Sequence, residues 1–438
     1  MDGSRIEAGT TRRCDVVVLG GGPGGSATAT LLAEAGLSVV LVEKDRHPRF
    51  HIGESLLPLT LPMLDRLGVL EEVAQIGVHK PGAEFVSADG GKEAIFAFER
   101  ALTPNPGHAY QVLREEFDEI LFRRAGRAGA ELREETTARV VASDETGAEI
   151  ALERQDAPEE RIFADLLIDA SGRSTVMARM RSEKRPDPRN TSAAIFGHFH
   201  DVPRHEGARG GNIRIHLTDP GWMWQIPLQN GVTSIGLVAP GEYMAARSSG
   251  IEAFFERHVS RQTHMRSLLA GARRVGTLRA TGNFSYHADC AAGPGHLKVG
   301  DAYGFIDPVF STGVHLALSS ARDAADAVLA ARRRPHARDR LFAQYDRAIR
   351  ARIARVSWFI YSINDPAFRE MMLNPRDILG IERAVIALLA GDFRRSIPLG
   401  SRLWLMKLLR HAVAFQMTRK GHQHATPSGP LRRRSAPH

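Results

Sequence analysis

Asp15-Val16-Val17-Val18-Leu19-Gly20-Gly21-Gly22-Pro23-Gly24-Gly25, running on to Glu43, is the stretch that decides the fold. Residues 15–19 are a short apolar, β-branched run, the mark of a strand buried on both faces in a parallel sheet. The glycines after it hold G-x-G-x-x-G at Gly20, Gly22 and Gly25. Residues 26–35 are small and aliphatic, as in a helix, and Gly36 stops them. Residues 37–42 are a second strand, ending at Glu43. Strand, glycine turn, helix, strand and acid in that order predict a βαβ dinucleotide-binding unit. Gly20 permits the tight turn, Gly22 lets the backbone approach a pyrophosphate, and Gly25 lets helix and strand pack closely. The helix N-terminus offers free N–H groups to phosphates. Glu43 is placed to accept from ribose hydroxyls.

Length and composition bound the rest. A chain of 438 residues can bury a large core, and two or three domains are expected. Its 43% hydrophobic and 25% charged residues are those of a globular protein. No apolar run reaches the roughly 20 residues that span a bilayer. The first 14 residues are polar and basic and lead into a single strand, so no signal peptide is expected. Cys14 and Cys290 are the only cysteines and form no C-x-x-C, which excludes a disulfide framework and fits a reducing cytoplasm. His198-x-His200 and His422-x-His424 lack further ligands at metal spacing, and no metal is expected. After Asp392 there are ten Lys or Arg and no acid, so the net charge of +8 belongs to the tail. No nucleic-acid-binding motif accompanies it.

Further along, Arg49-Phe50-His51-Ile52-Gly53-Glu54-Ser55 suits a ligand loop, or an ordinary helix cap at Glu54 or Ser55. Pro81 biases Lys80 toward an extended conformation. Residues 83–98 alternate as a hairpin turning at Asp89-Gly90-Gly91. A strand end at 110–114 leads to a helix over 115–128. Another strand, 161–168, runs into Asp169-Ala170-Ser171-Gly172, where a backbone can pass close to a cofactor. Trp222 and Trp224, two positions apart on a strand, face the same way. Residues 297–302 end a strand at Gly300-Asp301. A helix over 315–332 follows, its N-terminus suited to an anion or to the flavin O2 edge. Beyond it the pattern is helical and basic, with helices expected at 341–363, 381–389 and 401–417.

The glycine unit, Arg114 before its helix and the late Gly300-Asp301 together resemble the flavoproteins that include aromatic hydroxylases. Within that group the chain is similar to flavin-dependent halogenases of the tryptophan-halogenase-like family. Trp222-x-Trp224-x-Ile226-Pro227 matches that family's W-x-W-x-I-P motif, Gly53-Glu54-Ser55 with Leu57-Pro58 resembles its early flavin loop, and Lys80 falls where phenol- and pyrrole-type members carry an essential lysine. The resemblance, which covers about residues 13–330, implies an α/β fold: a Rossmann-like FAD-binding domain (13–80, 107–180 and 282–330) with an inserted β-rich substrate domain (81–106 and 181–281); the residue pattern beyond it predicts a helical C-terminal region (331–420), and the Pro, Gly, Ser and Arg content a disordered basic tail (421–438). The resemblance implies FAD, used as FADH2, on Gly20, Gly22, Gly25, Glu43, Ser55, Arg114, Asp301 and Val314. Thr312 and Gly313 would hold halide, and Trp222, Trp224, Pro227 and Phe310 would line a tunnel or substrate site. Hypohalous acid made from halide, O2 and FADH2 would pass the tryptophans to Lys80, which would hydrogen-bond it or form a haloamine. Tryptophan halogenases carry a glutamate where this chain has Phe310. That points to the phenol- and pyrrole-type branch, which often acts on carrier-bound acyl groups.

No second nucleotide motif appears, so a separate flavin reductase is the expected partner. An aromatic hydroxylase using NADPH and a flavin-dependent reductase of a lipid-like chain stay open as other readings. In the tail, Arg402, Lys407, Arg410 and His411 fall within about half of the helix circumference. An acidic acyl-carrier protein and the anionic face of a membrane both fit that tail, as does a helix that docks onto the FAD domain and leaves a solvated basic end.

Overall fold

The structure, a computed structural model, describes residues 12–424 apart from 247–249, 283–284 and 395. The chain is α/β, as expected. The strand Arg12–Leu19 lies in the middle of the larger sheet, with Val18 opposite Leu41 on one side and Ile168 on the other. Val16, Val17 and Val18 are buried, which is why the run is continuously apolar rather than alternating. Val39–Val42, Glu131–Arg133, Glu160–Asp169 and His296–Lys298 extend the parallel core, so segments far apart in the chain form one layer. The helices Pro23–Glu34, Arg114–Arg127 and Thr312–Arg333 pack together on one face. Ala148, Ile150 and Leu152 close over Val17, Leu19, Val40 and Val42 on the other.

A second sheet has seven strands, and the strand Trp222–Pro227 runs in its interior between Thr233–Pro240 and Ile213–His216. Gly236 makes room for it: a Cβ there would stand 2.1 Å from the Trp224 ring. The hairpin Gly82–Val86 and Glu93–Ala97 forms one edge, as the alternation predicted. The short strand Val78–Lys80 pairs separately with Ala109–Gln111.

Four helices follow: Arg338–Tyr361, Pro366–Leu373, Ile381–Leu389 and Ile397–His424. They are not an appendage. Phe359, Phe368, Ile386 and Leu388 share one core with Phe85, Phe96, Phe98, Trp224 and Phe310. Leu59 N–H donates to Ala390 O and Leu102 N–H to Arg383 O, at 3.0 and 2.8 Å. The last helix begins and ends outside the expected 401–417, and 421–424 continue it. The rest of the expected disordered tail, 425–438, lies outside the described residues. Among the described residues, no helix is long and apolar enough to cross a membrane.

Candidate active site

A cavity of ≈ 620 Å³ runs from the glycine turn, past Glu43 and the 49–55 loop, to the tryptophan strand and the start of the Thr312–Arg333 helix. At Gly20 and Gly25 there is no space for side chains. A Cβ on Gly25 would fall 1.9 Å from Gly20 O, and one on Gly20, at φ +101°, would fall 2.4 Å from Ala170 O. Gly22 is the N-cap of Pro23–Glu34 and lines the cavity, so the helix N-terminus opens onto it. Glu43 Oε2 accepts from Gly21 N–H at 2.8 Å and Oε1 from Asp45 N–H at 3.0 Å. Arg49 Nη2 also donates to Oε2 at 3.4 Å, so of a carboxylate's roughly four lone-pair sites about one is left for a ribose.

Arg114 lines the cavity but is engaged with the protein. It makes a bidentate pair with Asp118, at 2.8 and 2.9 Å, and donates to Ile52 O at 2.6 Å. Arg49 bridges Asp118 and Glu43, at 3.0 and 3.4 Å. Burial would raise the Asp118 carboxyl, but the charge and hydrogen bond of Arg114 together with His51 and Arg49 outweigh it, and the pKa lies below the ordinary value. Sequence reasoning missed Asp118, although its spacing four residues after Arg114 on one helix was a readable signal. Asp301, also at the cavity, is pushed up to about 6 by burial against the pull of Arg114 and Arg173. Among the described residues its carboxylate has no hydrogen-bond partner, as suits an acceptor of ribityl hydroxyls.

Glu54 and Ser55 cap no helix. Glu54 Oε1 meets His198 Nε2 at 2.6 Å, across from the second sheet, while the buried Oε2 has no partner among the described residues. Burial lowers the His198 pKa, but Glu54 more than compensates and holds it above the ordinary value. His198 was legible only as part of a histidine pair, and nothing local predicted Glu54 as its partner. Ser55 lines the cavity and also accepts from Lys80 Nζ at 2.8 Å. Lys80 gives a second hydrogen bond to Leu56 O, also at 2.8 Å, beneath the Phe98 ring. Burial lowers its pKa to about 7.

Thr312, Gly313 and Val314 line the cavity at the first turn of their helix. Ser311 takes the left-handed conformation, φ +57°, to aim that turn. Trp222, Trp224 and Ile226 form a wall, the two indole rings 6.0 Å apart. Gly25, Lys80, Pro227 and Phe310 stand behind the lining rather than in it. Phe310 is stacked at 4.4 Å on Phe359 from the C-terminal layer. Elsewhere Glu84, Glu93 and His205 bring ligand-type atoms within 4.8 Å of one another. Arg209 and Arg214 pair with both carboxylates there, so guanidinium groups compensate the charge.

A side-chain-free backbone cradle, a helix N-terminus, an acid at each end and a volume within the roughly 300–1,000 Å³ of cofactor sites fit an FAD. The FAD binding domain family matches residues 13–359. A flavin-dependent halogenase of Armillaria mellea is 34% identical over 349 residues, 74% of this chain and 69% of that protein. The chain belongs to the flavin-dependent halogenases. FAD is its cofactor and halide its co-substrate. A pyrrole-2-carbonyl peptidyl-carrier-protein chlorinase of Pseudomonas fluorescens is 30% identical over 427 residues, 91% of this chain and 93% of that enzyme. The solved structure of the myxobacterial chondrochloren halogenase superposes with a TM-score of 0.77 at 30% identity, covering 92% of this chain and 97% of that one. Another Armillaria mellea halogenase is longer, and the chain spans 64% of it.

Proposed function

We propose that this halogenase chlorinates or brominates an electron-rich aromatic acyl group of phenol or pyrrole type, presented on an acyl-carrier protein, with FADH2 supplied by a separate flavin reductase. Bound in its reduced form with O2, the flavin supplies the oxidising power that converts halide into hypohalous acid. The Thr312–Arg333 helix carries partial positive charge at its N-terminus, and the first-turn residues Thr312 and Gly313 hold the halide there. Trp222, Trp224 and Ile226 keep water from the path between halide and amine.

One observation carries the reading. The loop that lines the cofactor cavity also grips Lys80, whose burial leaves much of it as free amine near neutral pH. The amine attacks the halogen of hypohalous acid, forming an N–halogen bond and releasing water. The aromatic ring then takes the halogen, and its displaced proton returns to the nitrogen, which restores the amine. The Pseudomonas fluorescens relative, named for a carrier-bound substrate, supports the carrier. Phe310, where tryptophan halogenases have a glutamate, supports an apolar rather than an amino-acid substrate. In Lys80→Ala, halogenation of a carrier-bound substrate is expected to vanish while FAD still binds and its reduced form is still oxidised by O2. Halogenation at the wild-type rate in that variant would refute the role of Lys80.

A further inference from the structure

We infer that the outer face of the terminal helix Ile397–His424 is the docking surface for the acidic carrier protein that brings the substrate, an inference resting on the carrier-bound reading above. The helix meets its own apolar needs inward. Leu399 and Met406 are buried, and Leu403, Leu405 and Leu409 pack on the C-terminal core. Yet it also shows Ile397, Trp404 and Leu408 to solvent, 88%, 64% and 46% exposed. At 100° per residue these side chains fall within about 40° of one another, in a row roughly 17 Å long. A straight row of large apolar groups containing a tryptophan has the make-up of an interface centre rather than a solvated face.

The surroundings specify the partner's charge. Lys407 and His411 are exposed beside the row, and after Asp392 the chain has ten Lys or Arg and no acid. An acidic surface with an apolar centre is complementary to this one and is drawn to it over distance. The location favours a carrier over a bilayer. The helix packs on Ile381–Leu389, and that segment is tied by Arg383 O to Leu102 and by Ala390 O to Leu59. Leu59 and Leu102 follow, by three and four residues, Leu56 and Phe98, which contact the Lys80 amine. A carrier seated on the helix therefore stands on the layer whose contacts lead to the segments that hold Lys80.

The test compares two substrates in the reductase-coupled assay with the full-length enzyme: the aromatic acyl group on its carrier, and the same group as a pantetheine thioester. In Trp404→Ala/Leu408→Ser the KM for the carrier substrate should rise about tenfold with kcat nearly unchanged, and the pantetheine thioester should be processed as by the wild type. Ile397→Ser, at the most exposed position, gives the same comparison if the double variant does not fold. The wild-type KM for the carrier should also rise with salt. An unchanged carrier KM in a folded variant overturns the docking surface while leaving the substrate reading standing. Halogenation of neither thioester by the wild type removes both. Sedimentation with phosphatidylglycerol vesicles that is lost in the variant, with carrier kinetics unchanged, assigns the face to a membrane and overturns the proposal.

Discussion

At Ser55 the cofactor cavity and the amine beyond it meet in one hydroxyl. Its Oγ is one of the two acceptors of a buried lysine. Ser55→Ala leaves that nitrogen one hydrogen bond short, a loss of about 1–3 kcal/mol in buried settings. Product formation is expected to fall about tenfold, with hypohalite escaping to a trap and FAD affinity retained, and Ser55→Thr is expected to restore coupling. Lys80 itself makes stability depend on pH. Its folded pKa, about 7, lies far below the value of an exposed lysine, so the unfolded chain binds the extra proton between the two values. Stability from this group therefore rises with pH above 7. Lys80→Met is expected to melt above the wild type at pH 6, and the gap should close as pH rises toward 10. Glu54 offers a third check. A buried carboxylate oxygen without a partner is rare, and Glu54 lines the cofactor cavity, where a cofactor N–H or hydroxyl would satisfy Oε2. Glu54→Gln is expected to raise the FAD dissociation constant several-fold in a fluorescence titration; equal affinity would refute the contact.

Among the elements, the Thr312–Arg333 helix shows how stability and function separate. Ser311 holds a left-handed conformation that costs roughly 1–3 kcal/mol for a residue with a side chain. Gly313 costs the helix about 1 kcal/mol relative to alanine. Nothing lies within 4 Å of where its Cβ would be, so the packing does not require a glycine there. Gly313→Ala is expected to raise Tm slightly and to raise the halide KM, because the new methyl group enters the space we propose for the anion. Gly25→Ala is the contrast. Its Cβ would stand 1.9 Å from Gly20 O, so loss of FAD binding is expected along with loss of stability.

On the scale of the whole molecule, the C-terminal helices share the core that holds Phe98, the ring beside Lys80. The basic half-helix expected from the sequence is divided in the structure. Arg410 pairs with Asp365 at 2.9 Å, and Lys407 lies 4.3 Å from the Trp358 ring centre, while the apolar row faces out. Deleting everything after Asp392 would uncover Val385, Leu388 and their neighbours and remove the burial of Leu399 and Met406, each worth roughly 1.5–3 kcal/mol. A lower Tm and binding of an apolar dye are expected, so point substitutions on the outer face, not truncation, test docking.

The chain's local pattern was sufficient for the βαβ unit, the hairpin turning at Asp89-Gly90-Gly91, the paired tryptophans and the helix 381–389. Each depends on backbone geometry and side-chain periodicity within a few turns, and those are properties of neighbouring residues. The family resemblance drew on the same short motifs. Only tertiary structure decided that Arg114 serves Asp118 and the Ile52 carbonyl, that Glu54 meets a histidine 144 positions away, and that Ser55 holds Lys80. It also decided which side of the terminal helix is covered. Periodicity states which residues share a face. It does not state which face finds a partner, because that depends on the apolar surface and charge that distant segments bring to it.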